Sequence, residues 1–382
     1  VITTHQQLVN TKRWVIKIGS ALLTRVGEGL DLERINWLSS EIAKLRAQGK
    51  DVILVTSGSV AAGMQQLGWS KRPHALHLLQ SAASVGQMGL IQAYASACKQ
   101  HGIHTAQILL THADLSDRHR YLNARSTFHS LLELKVLPVV NENDAIATEE
   151  IRFGDNDTLA AMTANLVEAD VLVILTDQNG LFDSDPRHNA EATLISASAA
   201  NNADLDAMAG ESKGQLGQGG MATKLLAARR AARSGATTVI LSGKNANNLQ
   251  RLAQGETVGT LLWADSELMT ARQQWLAGHL KSAGSITLDQ GAENVVKQQG
   301  KSILAVGVKQ VQGQFTRGEL VTCLAMSGEE IARGLINYNA DEARKIMGMA
   351  SSEIESILGY IDEAELIHRD NLVMTFNNAH GR

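Results

Sequence analysis

Two lysines lie beside glycine-rich segments, where a positive side chain and an accessible backbone could together hold a phosphate group. Lys17 stands near the end of the apolar run Trp14–Ile18 and precedes Gly19, and Lys224 closes the segment Gly217–Lys224. A lysine at the end of a strand in an open α/β sheet points into the crevice where ligands bind. Glycine lets phosphate oxygens reach backbone N–H groups. The pattern favours an anion site; a surface lysine in a tight turn and an unstructured connector are the alternatives.

A further glycine loop, Thr56-Ser57-Gly58-Ser59-Val60-Ala61-Ala62-Gly63, follows the apolar run Asp51–Val55. Small residues between a strand and a helix form a cradle for an anion, because the first N–H groups of the helix point at it. A plain strand-to-helix turn fits the same residues equally well. No loop matches the Walker A motif, and the segment before Lys224 has Ala222 where a GxGxxG motif needs its last glycine.

Clusters of carboxylate and amide side chains follow apolar runs farther along the chain. They are Asn141-Glu142-Asn143-Asp144, Gly154-Asp155-Asn156-Asp157 and Thr176-Asp177-Gln178-Asn179-Gly180. Ligands of open α/β sheets bind outside the carboxyl ends of the strands, so we expect these side chains to lie near the lysines. For Asp157 alone, a helix cap is the simpler interpretation. The spacing does not match an EF-hand, and no calcium site is predicted.

The elements that must position these loops alternate between strand-like and helical patterns from about Trp14 to Thr260. The predicted strands are 14–18, 51–56, 106–110, 137–140, 171–175 and 238–241, and the predicted helices are 32–48, 78–100 and 222–234. Such alternation is typical of a mainly parallel sheet covered on both faces by helices, which is an α/β fold with three layers.

The pattern changes near residue 278. From Ser285 the apolar runs become short and alternating, and glycine recurs at short intervals, which predicts a small β-rich domain. We therefore predict one domain over residues 1–277 and a second over residues 278–382. A length of 382 residues agrees with two domains of ~100–200 residues each.

Composition excludes several classes of protein. The net charge of −4 gives no overall attraction to nucleic acid or anionic lipid. Cys98 and Cys323 are far apart and form no CxxC pair, so we expect reduced, buried thiols rather than disulfides or zinc. No apolar run is long enough to span a membrane, and the polar N-terminus does not read as a signal peptide. These features predict a soluble cytoplasmic protein.

Taken in order, the motifs resemble the amino acid kinase family, in particular its glutamate-phosphorylating members with a C-terminal PUA domain. The matching segments are Lys17-x-Gly19-Ser20-x-x-Leu23-Thr24, Val55–Gly63, Asn141–Asp144, Gly154–Asp157, Leu175–Leu181, Gly219–Lys224, Phe315–Glu319, Leu358–Tyr360 and His368–Val373. The resemblance implies a three-layer α/β/α sandwich with a PUA-like β-rich domain. One departure is Ala21, where many relatives carry a hydroxyl.

The resemblance also implies a role for each matching residue. Lys17 and Lys224 would contact the ATP phosphates and the transferring phosphoryl group, and Asp155 would orient both lysines. The residues expected to bind or adjoin glutamate are Ser57, Asp144, Asn156, Asn141 and Asp157. The residues expected to hold the nucleotide are Lys17, Thr176, Asp177, Gln218, Gly219, Gly220, Met221, Ala222, Thr223 and Lys224.

The implied reaction suits these residue types. A glutamate carboxylate, with a pKa of about 4.3, is already ionised at neutral pH and needs no general base, and the loops contain no histidine. The family implies ATP with Mg²⁺, feedback inhibition by proline and assembly into a homo-dimer or homo-tetramer. We assign no protein ligand to the metal.

Other interpretations remain open. A different amino acid kinase, acting on aspartate, N-acetylglutamate, carbamate or UMP, is the nearest one; the segment Gly154–Asp157 and the second domain argue against it. An RNA-binding PUA protein is another, although residues 285–373 show no obvious basic stripe. A Rossmann dehydrogenase lacks an early GxGxxG motif.

Overall fold

A computed structural model describes residues 2–25, 29–146, 156–184, 186, 188–189, 191–209, 220–264 and 282–374. The chain divides into two compact units, one of residues 1–116 with 127–269 and one of residues 117–126 with 270–382. The domain boundary predicted near residue 278 falls within residues 265–281, outside the described part of the chain, and stays a prediction.

The first unit is built on an eight-stranded sheet with the order β5-β6-β4-β1-β7-β9-β10-β8. All neighbouring strands run parallel except β9 and β10. A two-stranded ribbon, β2–β3, is separate from this sheet. The strands are β1 (Arg13–Ile18), β2 (Thr24–Arg25), β3 (Gly29–Leu30), β4 (Asp51–Val55), β5 (Thr105–Leu110), β6 (Leu137–Glu142), β7 (Val171–Thr176), β8 (Ala197–Ala199), β9 (Thr237–Ser242) and β10 (Thr260–Trp263).

Helices connect these strands. They are α1 (Ser20–Leu23), α2 (Leu32–Ala47), α3 (Ser59–Gln66), α4 (Leu76–Lys99), α5 (His112–Ser116), α6 (Arg118–Glu133), α7 (Asp157–Leu166), α8 (Asp204–Met208), α9 (Met221–Ala232) and α10 (Asn248–Ala253). Helix α2 shows why such segments become helical: Asp31 caps its first turn, and Ile35, Leu38, Ile42 and Leu45 recur at helical spacing and are buried.

The central strands β1, β4 and β7 are almost entirely apolar and buried, as expected of parallel strands that helices cover on both faces. Their side chains join those of α2 and α4 in the main core. The predicted three-layer α/β sandwich with a mainly parallel sheet is confirmed. The antiparallel strand β10 and the short edge strand β8 were outside the predicted set.

The second unit contains a separate five-stranded sheet with the order β12-β11-β13-β14-β15. Only β11 and β13 run parallel in this sheet. Its elements are β11 (Gly284–Leu288), α11 (Gln290–Gln299), β12 (Val308–Gly313), β13 (Leu320–Leu324), β14 (Glu330–Leu335), α12 (Ala340–Ile346), α13 (Ile354–Leu358) and β15 (Leu372–Met374). It has its own apolar core, so the predicted small β-rich domain is confirmed.

Both cysteines, Cys98 and Cys323, are free and buried, as the sequence predicts. Burial raises the pKa of each thiol above its ordinary value. None of the helices in the described residues combines the length and the apolar character needed to cross a membrane.

Candidate active site

The sheet brings the predicted loops together at the carboxyl ends of four adjacent strands, β6, β4, β1 and β7. Lys17 on β1 is level with Val55 on β4 and with Ile174 on β7. The loop after Val55 and the segment after Thr176 therefore begin beside Lys17. Strand order reverses at β1, and such a switch point is where open α/β sheets bind ligands.

Lys17 and Lys224 share one carboxylate, that of Asp157. Lys17 Nζ lies 2.5 Å from Asp157 Oδ1, and Lys224 Nζ lies 3.2 Å from Asp157 Oδ2. The side chain of Asp157 is 0% exposed, and both lysines are almost fully buried. Charges are costly to bury without partners. This arrangement therefore holds two ammonium groups in a fixed place against the carboxylate of Asp157.

Helix α9 delivers one of these lysines together with a hydroxyl. The helix begins directly after Gly220, so Lys224 lies near its start and projects into the core beside α7. Thr223 Oγ1 lies 3.0 Å from Asp157 Oδ2 and donates to the Gly220 carbonyl at 2.8 Å. The glycine-rich segment, of which Gly220 is the last glycine, is thus tied to the lysine cluster at its helical end.

Within the described ranges, the acidic partner of both lysines is Asp157. The capping role that the sequence indicates for Asp157 taken alone is wrong: Asn156 occupies the N-cap of α7, and the Asp157 carboxylate contacts the lysines. Asp155, to which the family resemblance gives the orienting role, lies outside the described residues. An aspartate in the first turn of a helix is also favoured by the helix dipole.

The loop between β4 and α3 presents a buried hydroxyl. Ser57 is 6% exposed, and its Oγ has no hydrogen-bond partner among the described residues. Gly58, at the N-cap of α3, has φ +104, a left-handed conformation that glycine adopts without strain. A buried hydroxyl without a partner is costly, so this loop fits a site that a ligand completes.

Two asparagines form a hydrogen-bonded chain beside the same loop. Asn156 Nδ2 donates to the Thr56 carbonyl at 2.5 Å and to Asn141 Oδ1 at 2.8 Å. Asn141 Nδ2 in turn donates to Gln87 Oε1 at 2.7 Å. On the other side of the loop, Ser59 Oγ donates to Asp144 Oδ2 at 2.8 Å. Four residues predicted to bind or adjoin glutamate therefore lie in this loop or are linked to it by hydrogen bonds, namely Ser57, Asp144, Asn156 and Asn141, and Asp157 follows Asn156 in the sequence.

Gln87 on α4 supports this site but is absent from the sequence prediction. Tyr94, two turns farther along α4, is a second such residue: it is fully buried, and its hydroxyl lies 3.0 Å from Thr56 Oγ1. Burial raises the pKa of the Tyr94 phenol, which keeps it protonated. The sequence feature that could have indicated a role for Gln87 is its position, as a polar residue, on the helix face that also carries Ala83, Leu90 and Tyr94.

The residues predicted to hold the nucleotide are only partly described. Thr176 is buried at the end of β7 and donates to the exposed Asp177 carboxylate at 3.2 Å. Met221 and Ala222 form the first turn of α9. Gln218 and Gly219 lie outside the described residues. Within the described ranges, no group of three or more His, Cys, Asp or Glu side chains could hold a metal ion.

Comparison with known proteins agrees with this architecture. The model of the amino acid kinase family matches residues 12–242, and that of the PUA domain matches residues 284–358. A curated glutamate 5-kinase from Nitrosococcus oceani is 63% identical over 370 residues, covering 97% of this chain and 99% of that protein. Another, from Thioalkalivibrio sulfidiphilus, is 60% identical over 371 residues, covering 97% and 99%.

Among solved structures, the UMP kinase from Bacillus anthracis has a TM-score of 0.48 and 17% identity, covering 67% of this chain and 97% of that chain. A likeness at this level carries no argument about function. The match to the family model and the relatives that align over nearly their full length are sufficient to assign the family. The chain belongs to the amino acid kinase family and, within it, to the group of the glutamate 5-kinases.

Proposed function

We propose that this protein transfers the γ-phosphoryl group of ATP to the side-chain carboxylate of L-glutamate. The products are L-glutamyl 5-phosphate and ADP, and the reaction is the first step of proline biosynthesis. The observation that carries the proposal is the buried cluster of Lys17, Asp157 and Lys224 in a chain that is 63% identical to a glutamate 5-kinase.

The lysine cluster supplies the electrostatic part of the reaction. An anionic carboxylate must approach the negatively charged ATP phosphates, and phosphoryl transfer depends on positioning and charge neutralisation. Lys17 and Lys224 are held by Asp157, so their ammonium groups need little rearrangement as charge develops on the transferred group. The nucleophile is already ionised, so no residue has to remove a proton from it.

The β4–α3 loop is the proposed glutamate site. The Ser57 hydroxyl is available to a ligand, and the Asp144 carboxylate offers a partner for the substrate ammonium group. Asn156 lies against the same loop through its bond to the Thr56 carbonyl. Asn141 and Asp157 adjoin this set, which supports a glutamate position next to the lysines proposed to bind the phosphates.

We assign the nucleotide to Thr176, Asp177 and the segment 218–224, and Asp155 to the orientation of the lysines. Mg²⁺ bound to the ATP phosphates would neutralise part of their charge, and such an ion keeps several waters and needs few protein ligands. We also infer a cytoplasmic homo-oligomer that proline inhibits at or near the glutamate site; the free, buried cysteines suit a reducing compartment.

Hydroxylamine trapping tests this function. An acyl phosphate formed by the enzyme reacts with hydroxylamine to give a hydroxamate, which ferric iron converts to a coloured complex, whereas a nucleoside diphosphate does not. With ATP and Mg²⁺, we expect strong hydroxamate formation from L-glutamate and little from aspartate or N-acetylglutamate. Adding proline should raise the glutamate concentration needed for half-maximal rate. Stronger trapping with aspartate or N-acetylglutamate would contradict the assigned substrate.

A further inference from the structure

Gln87 reaches the proposed glutamate site from a helix that no sequence motif connects with it. The residue lies on α4 and is partly buried, and its Oε1 accepts a hydrogen bond from Asn141 Nδ2 at 2.7 Å. Asn141 is 2% exposed and Asn156 is 8% exposed, so water has little access to the amides beyond Gln87. A buried amide that loses its partner carries the full cost of an unmade hydrogen bond.

The direction of this amide chain is set at its far end. The Thr56 carbonyl can only accept, so it holds the NH₂ group of Asn156 toward itself. That NH₂ group also donates to Asn141 Oδ1, which turns the Asn141 NH₂ group toward Gln87. Gln87 must therefore offer its oxygen, and it closes the chain as an acceptor.

The orientation of these amide groups decides which atom Asn156 can offer a ligand. Both Nδ2 protons of Asn156 are donated within the protein, so Oδ1 is the atom left to a ligand, and it accepts. Such an oxygen suits the ammonium group of an amino acid and not its carboxylates. Reversal of the amide would present a donor at the same point and lose that match.

We propose that Gln87 is a positioning residue for the amino-acid substrate: it holds the Asn141 amide in place, so that Asn141 Oδ1 and the Thr56 carbonyl together keep the Asn156 amide in one orientation. This inference rests on the proposed function, because it assumes that Asn156 contacts glutamate. In the described part of the chain, Gln87 bonds to Asn141 and not to Lys17, Asp157 or Lys224. Its loss should therefore affect glutamate binding far more than ATP binding or the chemical step.

The test replaces Gln87 with methionine, which has a similar length but no carbonyl oxygen. In the Gln87→Met protein, we expect the KM for glutamate to rise about tenfold, as expected for the loss of ~1.4 kcal/mol of binding. The KM for ATP and kcat should stay within about twofold of wild type. Gln92→Met, at an exposed position on the same helix, is the matched control and should leave all three constants unchanged.

A double-mutant cycle separates positioning from a general structural effect. If Gln87 acts through Asn141, then Gln87→Met should change kcat/KM for glutamate by less than about twofold when Asn141→Ala is already present. Full additivity of the two substitutions, or an equal rise in the KM values for ATP and glutamate, would overturn the inference. Normal glutamate kinetics in both Ser57→Ala and Asn156→Ala would instead overturn the proposed site itself.

Discussion

Among single residues of the proposed site, Asp157 stands out because its carboxylate contacts two ammonium groups. Asp157 is buried between Lys17 and Lys224, and the pair distances are 2.5 and 3.2 Å. A buried ion pair contributes little net stability, because desolvation offsets the attraction, but removal of one partner is strongly unfavourable. We therefore expect the cluster to be retained for phosphate binding rather than for folding.

Asp157→Asn tests this role, because it keeps the shape of the side chain and removes its charge. We expect kcat to fall by about 10²-fold or more, since the two lysines lose the group that holds them in place. We also expect the unliganded protein to lose ~3–5 kcal/mol of stability, because the substitution breaks the buried ion pairs of Asp157 with both lysines. Steady-state kinetics and urea unfolding would measure the two effects.

The matched control for this substitution is Asp206→Asn. Asp206 forms an ion pair with Arg229 at 2.8 Å, but its side chain is 61% exposed. Exposed pairs contribute ~0–1 kcal/mol, so stability and kcat should stay near wild type. Equal losses in the Asp206 and Asp157 variants would contradict a special role for the buried carboxylate.

Burial of His5 makes the stability of the protein depend on pH. His5 is buried, and its Nε2 lies 3.1 Å from the Val258 carbonyl. Burial lowers the pKa of His5 below 6.5. As the pH falls below about 6.5, His5 is therefore protonated more readily in the unfolded chain than in the folded chain. The free energy of unfolding then decreases by at most ~1.4 kcal/mol per pH unit.

His5→Gln should remove this contribution, because its amide can still donate to the carbonyl but does not titrate. Denaturant unfolding between about pH 7 and about pH 5 should show a flatter decline of stability than wild type. His77→Gln, at an exposed position, is the control and should keep the wild-type slope. A slope that is unchanged in His5→Gln would refute the prediction.

The residue types of the site follow from the sequence, whereas their pairing does not. Lysine beside glycine after a strand indicates phosphate chemistry, and Lys17 and Lys224 do meet in the structure. The aspartate that contacts both lysines is determined by the residue at which α7 begins. The order of the motifs does not predict that residue to within two positions. Gln87 and Tyr94 belong to the site only because α4 packs beside it, and no local pattern encodes that packing.

Among the elements, helices α3 and α4 determine the position of the β4–α3 loop, the proposed glutamate site, by how closely they approach each other. A Cβ atom added at Gly86 would lie 1.9 Å from the Ser59 carbonyl oxygen and 2.3 Å from the Gly63 backbone nitrogen. A Cβ atom at Gly63 would likewise lie 1.7 Å from the Ala82 carbonyl oxygen. The two helices therefore touch backbone to backbone, and this contact sets the place where α3 begins.

Gly86→Ala should push the two helices apart. We expect a loss of ~1–3 kcal/mol in stability, as for other overpacked contacts. We also expect a higher KM for glutamate, because Ser59 lies on the first turn of α3 and holds Asp144. Thermal unfolding and steady-state kinetics measure both effects.

Gly89→Ala is the matched control on the same helix. An added Cβ there would meet only the end of the flexible Gln66 side chain, at 2.6 Å, and that side chain can move aside. Alanine is also favoured over glycine within a helix by ~1 kcal/mol. The Gly89 variant should be as stable as wild type or more so. A larger loss in the Gly89 variant than in the Gly86 variant would contradict the backbone contact.

Long apolar elements could be predicted from the sequence, and short or edge elements could not. The strands Val171–Thr176 and Asp51–Val55 match their predicted ranges closely, because buried parallel strands are continuous apolar runs. The edge strand Ala197–Ala199 is too short to show a period. The reversal of β10 relative to β9 depends on tertiary pairing, which the local pattern of Thr260–Trp263 does not reveal.

At the scale of the whole molecule, each compact unit has its own apolar core. The first centres on the parallel sheet and includes Trp14, and the second surrounds a five-stranded sheet and includes Tyr338. All the described residues of the proposed site belong to the first unit. A ligand that binds only the folded first unit should therefore stabilise that unit selectively.

Calorimetry of the full chain should accordingly show two unfolding transitions that respond differently to ligands. Glutamate with a non-hydrolysable ATP analogue, at about 100 times its dissociation constant, should stabilise the first unit by ~2.7 kcal/mol and leave the other transition in place. Four of the five tryptophans lie in the first unit, so fluorescence identifies its transition. Tyr338→Phe removes a hydroxyl that donates to the Glu363 carbonyl and should lower only the second transition. A single transition that both the ligands and Tyr338→Phe displace would mean that the two cores unfold as one cooperative body.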